Sequence, residues 1–285
     1  MTDRSFGGPW TQEKLRILSL YLDAYTTALK NQPFRLIYVD AFAGEGSWRP
    51  GSAYTTDYDD FRELHKGSPR IALGITDKPF DRLIFIENDP QRFELLRKLQ
   101  EEFPDRDISV LNEDAEKALP AFCQSLDVDE RAVVFLDPFA TEVSWAMVEG
   151  MARTLKIDCW ILFPLSAIAR MMPRKSEPST ELASQLDRIF GERAYWQDFY
   201  STSPQPRLPL QVFEDKIEQI RSSGSSQIAD RYLDRLASIF ARVAPKGREF
   251  TNSKNSPMFQ LFFAASNPKG ARIAVGIATH IIDNW

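Results

Sequence analysis

Five short apolar runs, separated by stretches of helical periodicity, constrain this chain more than any other feature of its sequence. They are Arg35–Val39, Arg82–Ile86, Ile108–Leu111, Ala132–Leu136 and Ile157–Phe163. A strand that is apolar throughout must be covered on both faces, and strands that alternate with helices pair in parallel. Helical candidates fill the intervals at Pro69–Asp77, Pro90–Phe103, Glu116–Gln124 and Trp145–Leu155. Ahead of the first run, Leu15, Leu18, Leu22, Tyr25 and Leu29 recur at three- and four-residue spacings, which predicts an amphipathic helix over Thr11–Lys30. The expected architecture is a doubly wound α/β domain.

The rhythm changes after Arg170. Helix candidates at Glu181–Phe190, Gln211–Arg221 and Gln227–Ala241 are punctuated by Pro204, Pro206 and Pro209 and by the linker-like Ser222-Ser223-Gly224-Ser225-Ser226. Strand character returns at Met258–Ala264, and Arg272–Ile277 reads as a further strand or as the start of a last helix. The organisation expected is an N-terminal helix (1–34), a Rossmann-like cofactor-binding core (35–169), a helical insertion (170–256) and C-terminal strands completing the core (257–285). The loop from Ser47 to Gly67 is longer than the ~2–6 residues usual between a strand and a helix.

Composition removes several classes. Two cysteines and two histidines in 285 residues exclude a disulfide framework, a Cys-rich zinc site and a His-rich metal centre. No apolar run approaches the ~20 residues of a membrane span. The opening MTDRSFGGPW has no apolar core of a signal peptide, so a cytoplasmic protein is expected. A net charge of -5 is not that of a generally basic nucleic-acid binder. Between Trp160 and Gln260, however, 14 Lys/Arg stand against 11 Asp/Glu. That local excess suits a polyanion facing the back half, and equally suits ordinary solvated faces.

Ligands of open α/β sheets bind outside the carboxyl ends of the strands. Here those ends carry acids: Asp40, Glu87, Asp114 and Asp137 each follow a different apolar run. In Asp40-Ala41-Phe42-Ala43-Gly44-Glu45-Gly46, two glycines let the backbone turn sharply and approach a ligand. The third glycine of a dinucleotide fingerprint and the lysine of a P-loop are missing. In Ile86-Glu87-Asn88, a carboxylate can accept both hydroxyls of a ribose; it also reads as a salt-bridge or capping acid. In Glu113-Asp114-Ala115, Asp114 can accept from an adenine amino group and can cap the following helix. In Asp137-Pro138-Phe139-Ala140, the Asp oxygen and the Pro138 carbonyl can hold a planar amine while Phe139 stacks on its ring. The alternative there is an Asx-Pro turn with a core phenylalanine. Trp48 lies where it could cover a cofactor or meet substrate. Arg170, Arg174 and Lys175 follow the fifth run, where they could meet phosphates or form a solvated helix end.

The order of glycine loop, ribose acid, adenine acid and acid-Pro-aromatic turn resembles the class I S-adenosylmethionine-dependent methyltransferases that modify amino groups, whose turn is usually D/N-P-P-Y/F. Asp137-Pro138-Phe139 looks more like the D-P-F-G turn of tRNA guanine-N2 dimethyltransferases, with Ala140 in place of the glycine. A wider resemblance covers most of the chain. Lys14, Ile17, Leu18, Tyr21 and Leu22 are followed in order by Tyr38–Gly44, Gly67-Ser68-Pro69, Phe135–Phe139 and Phe262–Pro268. This set is similar to the bacterial three-Cys-motif partner (TcmP) family. The resemblance implies a Rossmann-like methyltransferase fold and S-adenosylmethionine as cofactor, held by Asp40, Phe42, Gly44, Gly46, Glu87, Asn88, Asp114 and Ala115. It also implies a three-Cys-motif protein, itself similar to radical S-adenosylmethionine enzymes, as partner. Two functions are compatible with it: methylation of an amino nitrogen of a nucleobase in RNA or DNA through Asp137, Pro138 and Phe139, or non-catalytic cofactor binding in complex with that partner.

Overall fold

The structure is a computed structural model that describes residues 9–48, 65–203, 218–221 and 224–284. In chain order its elements are α1 (Pro9–Leu29), β1 (Arg35–Asp40), β2 (Ser47–Trp48), β3 (His65–Lys66), α2 (Ser68–Leu73), β4 (Arg82–Ile86), α3 (Pro90–Glu102), β5 (Ile108–Leu111), α4 (Ala115–Ser125), β6 (Glu130–Leu136), α5 (Trp145–Thr154) and β7 (Ile157–Phe163). Then come α6 (Leu165–Met171), α7 (Thr180–Phe190), α8 (Ala194–Gln197), β8 (Tyr200–Ser203), β9 (Glu218–Arg221), α9 (Ser225–Ala237), β10 (Arg242–Val243), β11 (Arg248–Thr251), β12 (Pro257–Ala265) and α10 (Ala271–Asn284).

The main sheet runs β10-β12-β7-β6-β1-β4-β5, with β11 also on β12. The five strands from β5 to β7 pair in parallel. Strand β12 is antiparallel to β7, and both β10 and β11 are antiparallel to β12. From β1 the sheet grows through β4 to β5, then restarts at β6 on the other side of β1. That reversal opens a crevice outside the carboxyl ends of β1 and β6. The fold is the expected one as to class, a mostly parallel Rossmann-like sheet with helices on both faces.

Side chains that alternate along each strand feed two cores. On one face Ile37, Val39, Ile84, Val134 and Ile161 pack beneath α4, α5, α6, α7 and α9. On the other, Leu36, Tyr38, Phe85, Phe135 and Trp160 pack beneath α1, α2, α3 and α10. The periodicity of α1 is thus spent on docking its Ile17, Leu18, Tyr21 and Leu22 against the sheet.

Several expectations need correction. Residues 218–221 form a strand paired antiparallel with Tyr200–Ser203, not the end of a helix over 211–221; residues 211–217 lie outside the described ones. Of the two readings left open for Arg272–Ile277, the helical one is found: the segment belongs to α10. Strands β10 and β11 lie within the 170–256 segment expected to be a helical insertion, yet they join the main sheet; helix α6 had no expectation. Among the described residues, no helix is long and apolar enough to cross a membrane.

One buried acid makes the second core sensitive to pH. Asp158 of β7 accepts a hydrogen bond from the Tyr21 hydroxyl at 2.7 Å. Burial pushes its carboxyl up to about 7, against the opposing pull of that hydrogen bond. Because the folded state holds this proton longer than the unfolded chain, the contribution is full below pH ~4 and is lost as pH rises through about 7. Asp158→Asn keeps an acceptor for Tyr21 and removes the titration. Urea unfolding of the variant should show its gain over wild type growing between pH 4 and 7 and levelling off above. A gain that does not change with pH would contradict the assignment.

Candidate functional site

The crevice is built from turns that leave the strand ends. After β1, Gly44 and Gly46 adopt φ of +63° and +74°, a region where side-chain-bearing residues are strained. The Gly44 N–H donates to Glu87 Oε2 at 3.0 Å, and the Asp89 N–H donates to Glu87 Oε1 at 2.8 Å. Buried at the end of β4, Glu87 therefore ties the glycine loop to the start of α3. A Cβ on Gly46 would come within 3.1 Å of Leu99 and 3.3 Å of Leu96, so the loop also lies close on α3. Each oxygen of Glu87 keeps a second lone pair for a ligand hydroxyl.

A cavity of about 260 Å³ lies over these strand ends. Phe42, Glu87 and Asn88 form one side, and Glu113, Asp114 and Ala115 the next. Asp114 caps α4, its Oδ1 accepting the Glu116 N–H at 2.8 Å, and it also lines the cavity. The far wall is Phe139 to Glu142 with Gln185 and Arg188 of α7. Arg188 ion-pairs with Glu116 and donates to the carbonyls of Thr141, at 3.2 Å, and Glu142, at 2.9 Å. It thereby fastens α7 to the loop after β6. The cavity wall holds four carboxylates, Glu87, Glu113, Asp114 and Glu142, against one guanidinium that is already paired. Such a wall favours a ligand with positive charge.

The turn Asp137-Pro138-Phe139 sits beside this cavity. Phe139 lines it and is half exposed; its N–H donates to Glu142 Oε2 at 3.0 Å. The Arg92 guanidinium of α3 stands 4.4 Å from the centre of the Phe139 ring, a cation–π arrangement. Pro138 faces a narrow apolar slot next to the cavity, shared with Phe163, Pro164 and Tyr232. Asp137 forms an ion pair with Lys14 of α1, whose own side chain is buried. The carboxyl of Asp40 lies beneath, fully buried, accepting from the Tyr38 hydroxyl and the Phe42 N–H at 3.3 Å each. Burial raises Asp40 to about 7; the nearby Asp137 adds to the rise, while the Ser68 hydrogen bond opposes it.

The structure thus brings Phe42, Glu87, Asn88, Asp114, Ala115 and Phe139 to one cavity. Gly44 and Gly46 shape the loop beside it. Asp40, expected to hold the cofactor, is buried under the site and does not line this cavity. Arg170, Arg174 and Lys175 are exposed around the end of α6, away from the cavity lining. Trp48 ends β2, opposite His65, and its side chain lies outside the described atoms. Sequence reasoning missed Glu142, Gln185, Arg188 and Arg92. The α7 pair comes from more than forty residues downstream of the turn it braces, and no local pattern announces it. Lys14 did leave a signal, since it shares the helical face of Ile17, Leu18 and Tyr21. Among the described residues, no group of three or more His, Cys, Asp or Glu could hold a metal ion.

No protein-family model matches the chain, and no curated protein matches it. Similar solved structures include protein LPL1258 of Legionella pneumophila, at 11% identity over 94% of this chain and 91% of that one, TM-score 0.46. The bifunctional kinase-methyltransferase WbdD is 14% identical over 92% of this chain, which spans 43% of that one, TM-score 0.43. The N-terminal domain of EvdMO1, solved with SAH bound, is 11% identical over 87% of this chain and 80% of that one, TM-score 0.40. These likenesses are remote; the chemistry open to the site resides in its own residues.

Proposed function

We propose that this chain is an S-adenosylmethionine-dependent methyltransferase that acts on an amino nitrogen of a nucleobase. The observation that carries the reading is the acid-walled cavity at the switch point of the sheet, with the Asp137-Pro138-Phe139 turn at its edge. S-adenosylmethionine bears a sulfonium and an ammonium against one carboxylate, so its net charge matches the wall. Glu87 would accept from ribose hydroxyls, Asp114 would accept from the adenine amine, and the backbone around Gly44 would meet the methionine part. When bound, the cofactor supplies an electron-poor methyl carbon.

The chain's own residues position the acceptor. An Asp137 oxygen and the Pro138 carbonyl accept the two N–H groups of a planar amine, which aims its lone pair. The half-exposed Phe139 ring offers a stacking surface, the usual way an unpaired base is held. The amine would form its bond to the methyl carbon as the methyl–sulfur bond breaks and the thioether leaves, and its proton would pass to water afterwards, so positioning supplies most of the catalysis. On the sequence resemblance alone, a three-Cys-motif protein is the proposed partner.

Two outcomes test this. Tritiated methyl from S-adenosylmethionine should appear in an N-methylated nucleoside after digestion of incubated RNA or DNA; label only in protein, or none, would contradict it. Glu87→Ala should weaken S-adenosylmethionine binding by roughly 10- to 100-fold, the scale of a lost hydrogen bond to a charged group. Unchanged calorimetric affinity would remove Glu87 from the cofactor site.

A further inference from the structure

The N-terminal helix reaches into the reaction centre through one side chain. Lys14 is 3% exposed, which is rare for a lysine that is not paired. Its ammonium donates to Asp137 Oδ2. The Trp10 ring lies 5.1 Å away and the Phe135 ring 5.9 Å away. Those two aromatic faces and one carboxylate surround the charge. The arrangement is costly to assemble, because an ammonium loses its hydration there. A surface helix could have covered this part of the sheet with an apolar residue instead.

The neighbours show what the charge does. β1 and β6 are adjacent and parallel, and Asp40 is paired in register with Phe135. Asp40 and Asp137 therefore emerge side by side, close enough for Asp137 to oppose ionisation of Asp40. Tyr38 and Ser68 satisfy Asp40 but bring no positive charge. Among the described residues, Lys14 is the cation paired with this couple. Its bond to Oδ2 also fixes the rotation of the Asp137 carboxylate. The other oxygen, Oδ1, has no hydrogen-bond partner among the described residues and is left for the acceptor amine.

We propose that Lys14 is a positioning residue for Asp137, so that α1 is part of the catalytic apparatus as well as a cover for the sheet. Lys14 touches neither cofactor nor acceptor; through Oδ2 it holds the carboxylate whose other oxygen, Oδ1, meets the acceptor. This rests on the methyltransferase reading above. Lys14→Met keeps the buried volume and removes the charge. Lys14→Gln keeps a neutral donor to Oδ2 and serves the same comparison should the Met variant not fold. Lys14→Arg restores the charge.

The experiment measures S-adenosylmethionine affinity, kcat and KM on RNA and DNA pools of random sequence, and the ¹³Cγ resonance of Asp137 in the ligand-free protein. Expected for Lys14→Met is a fall in kcat of about 100-fold, the cost of a misplaced reacting group, and for Lys14→Gln, whose donor is neutral and one bond shorter, a fall of at least about 10-fold. Cofactor affinity and KM should be nearly unchanged, the Asp137 resonance should shift, and Lys14→Arg should recover most of the loss. A kcat equal to wild type, or a loss seen only as weaker cofactor binding, overturns the proposal while leaving the methyltransferase reading intact. Absence of transfer by the wild type on both pools overturns the reading and this proposal together.

Discussion

Replacement of Asp137 by alanine should lower methyl transfer by at least about 100-fold while S-adenosylmethionine affinity stays within a factor of about three, less than 1 kcal/mol. The two effects separate because Asp137 does not line the cavity that Phe42, Glu87 and Asp114 enclose. Truncation also strands the buried ammonium of Lys14. Removing one partner of a buried ion pair costs ~3–5 kcal/mol, so the alanine variant should melt lower as well. Asp137→Asn discriminates chemistry from folding. It keeps an oxygen for Lys14 though not the charge, so part of the stability should return, but its amide cannot supply two well-placed acceptors, and transfer should stay low. If Asp137→Asn transfers methyl at the wild-type rate, the acid has no role in holding the amine. If Asp137→Ala loses cofactor affinity in proportion to rate, Asp137 belongs to the cofactor site instead.

The largest effect on folding is expected at Trp160, in the middle of β7. This indole is fully buried, with the Tyr21 ring at 5.4 Å and the Phe263 ring at 4.9 Å. Those rings come from α1 and from β12, so Trp160 holds the N-terminal helix and the antiparallel strand to the same part of the sheet. Trp160→Ala should cost ~3–5 kcal/mol, the range for opening an aromatic-sized cavity in a core. Its indole N–H is buried without a partner among the described residues. Trp160→Phe therefore forfeits no hydrogen bond and should cost far less than the alanine change. Chemical denaturation of both variants checks this, and equal losses would mean that the volume of the ring is not what stabilises the site. Because α1 carries Lys14, the alanine variant should also reduce transfer.

How much of this was visible in the sequence depends on where each signal resides. Four of the five parallel strands, β1, β4, β6 and β7, were legible because each is buried on both faces and so reads as a continuous apolar run; β5, at the edge, is only partly buried and shows as a shorter run. Strands β10 and β11, Arg242–Val243 and Arg248–Thr251, lie at the edge and include charged or polar residues, which hides them. The pairing of Glu218–Arg221 with Tyr200–Ser203 is set by a partner fifteen or more positions upstream, while the local spacing of Ile217 and Ile220 imitates a helix. In the site, Glu87 and Asp114 were legible because strand-end acids have a place dictated by topology. The clamp of Glu87 on the Gly44 N–H was not, since it joins residues 43 positions apart. Arg188 and Lys14 reach the site from 46 and 123 positions away along the chain. Only the folded sheet brings them there.

The central claim is that the acid-walled cavity takes S-adenosylmethionine, and calorimetric titration of that cofactor into the wild-type protein at neutral pH tests it most directly. The expected result is saturable one-to-one binding that weakens in Glu87→Ala and persists in Asp137→Asn. No heat of binding at millimolar cofactor would contradict it.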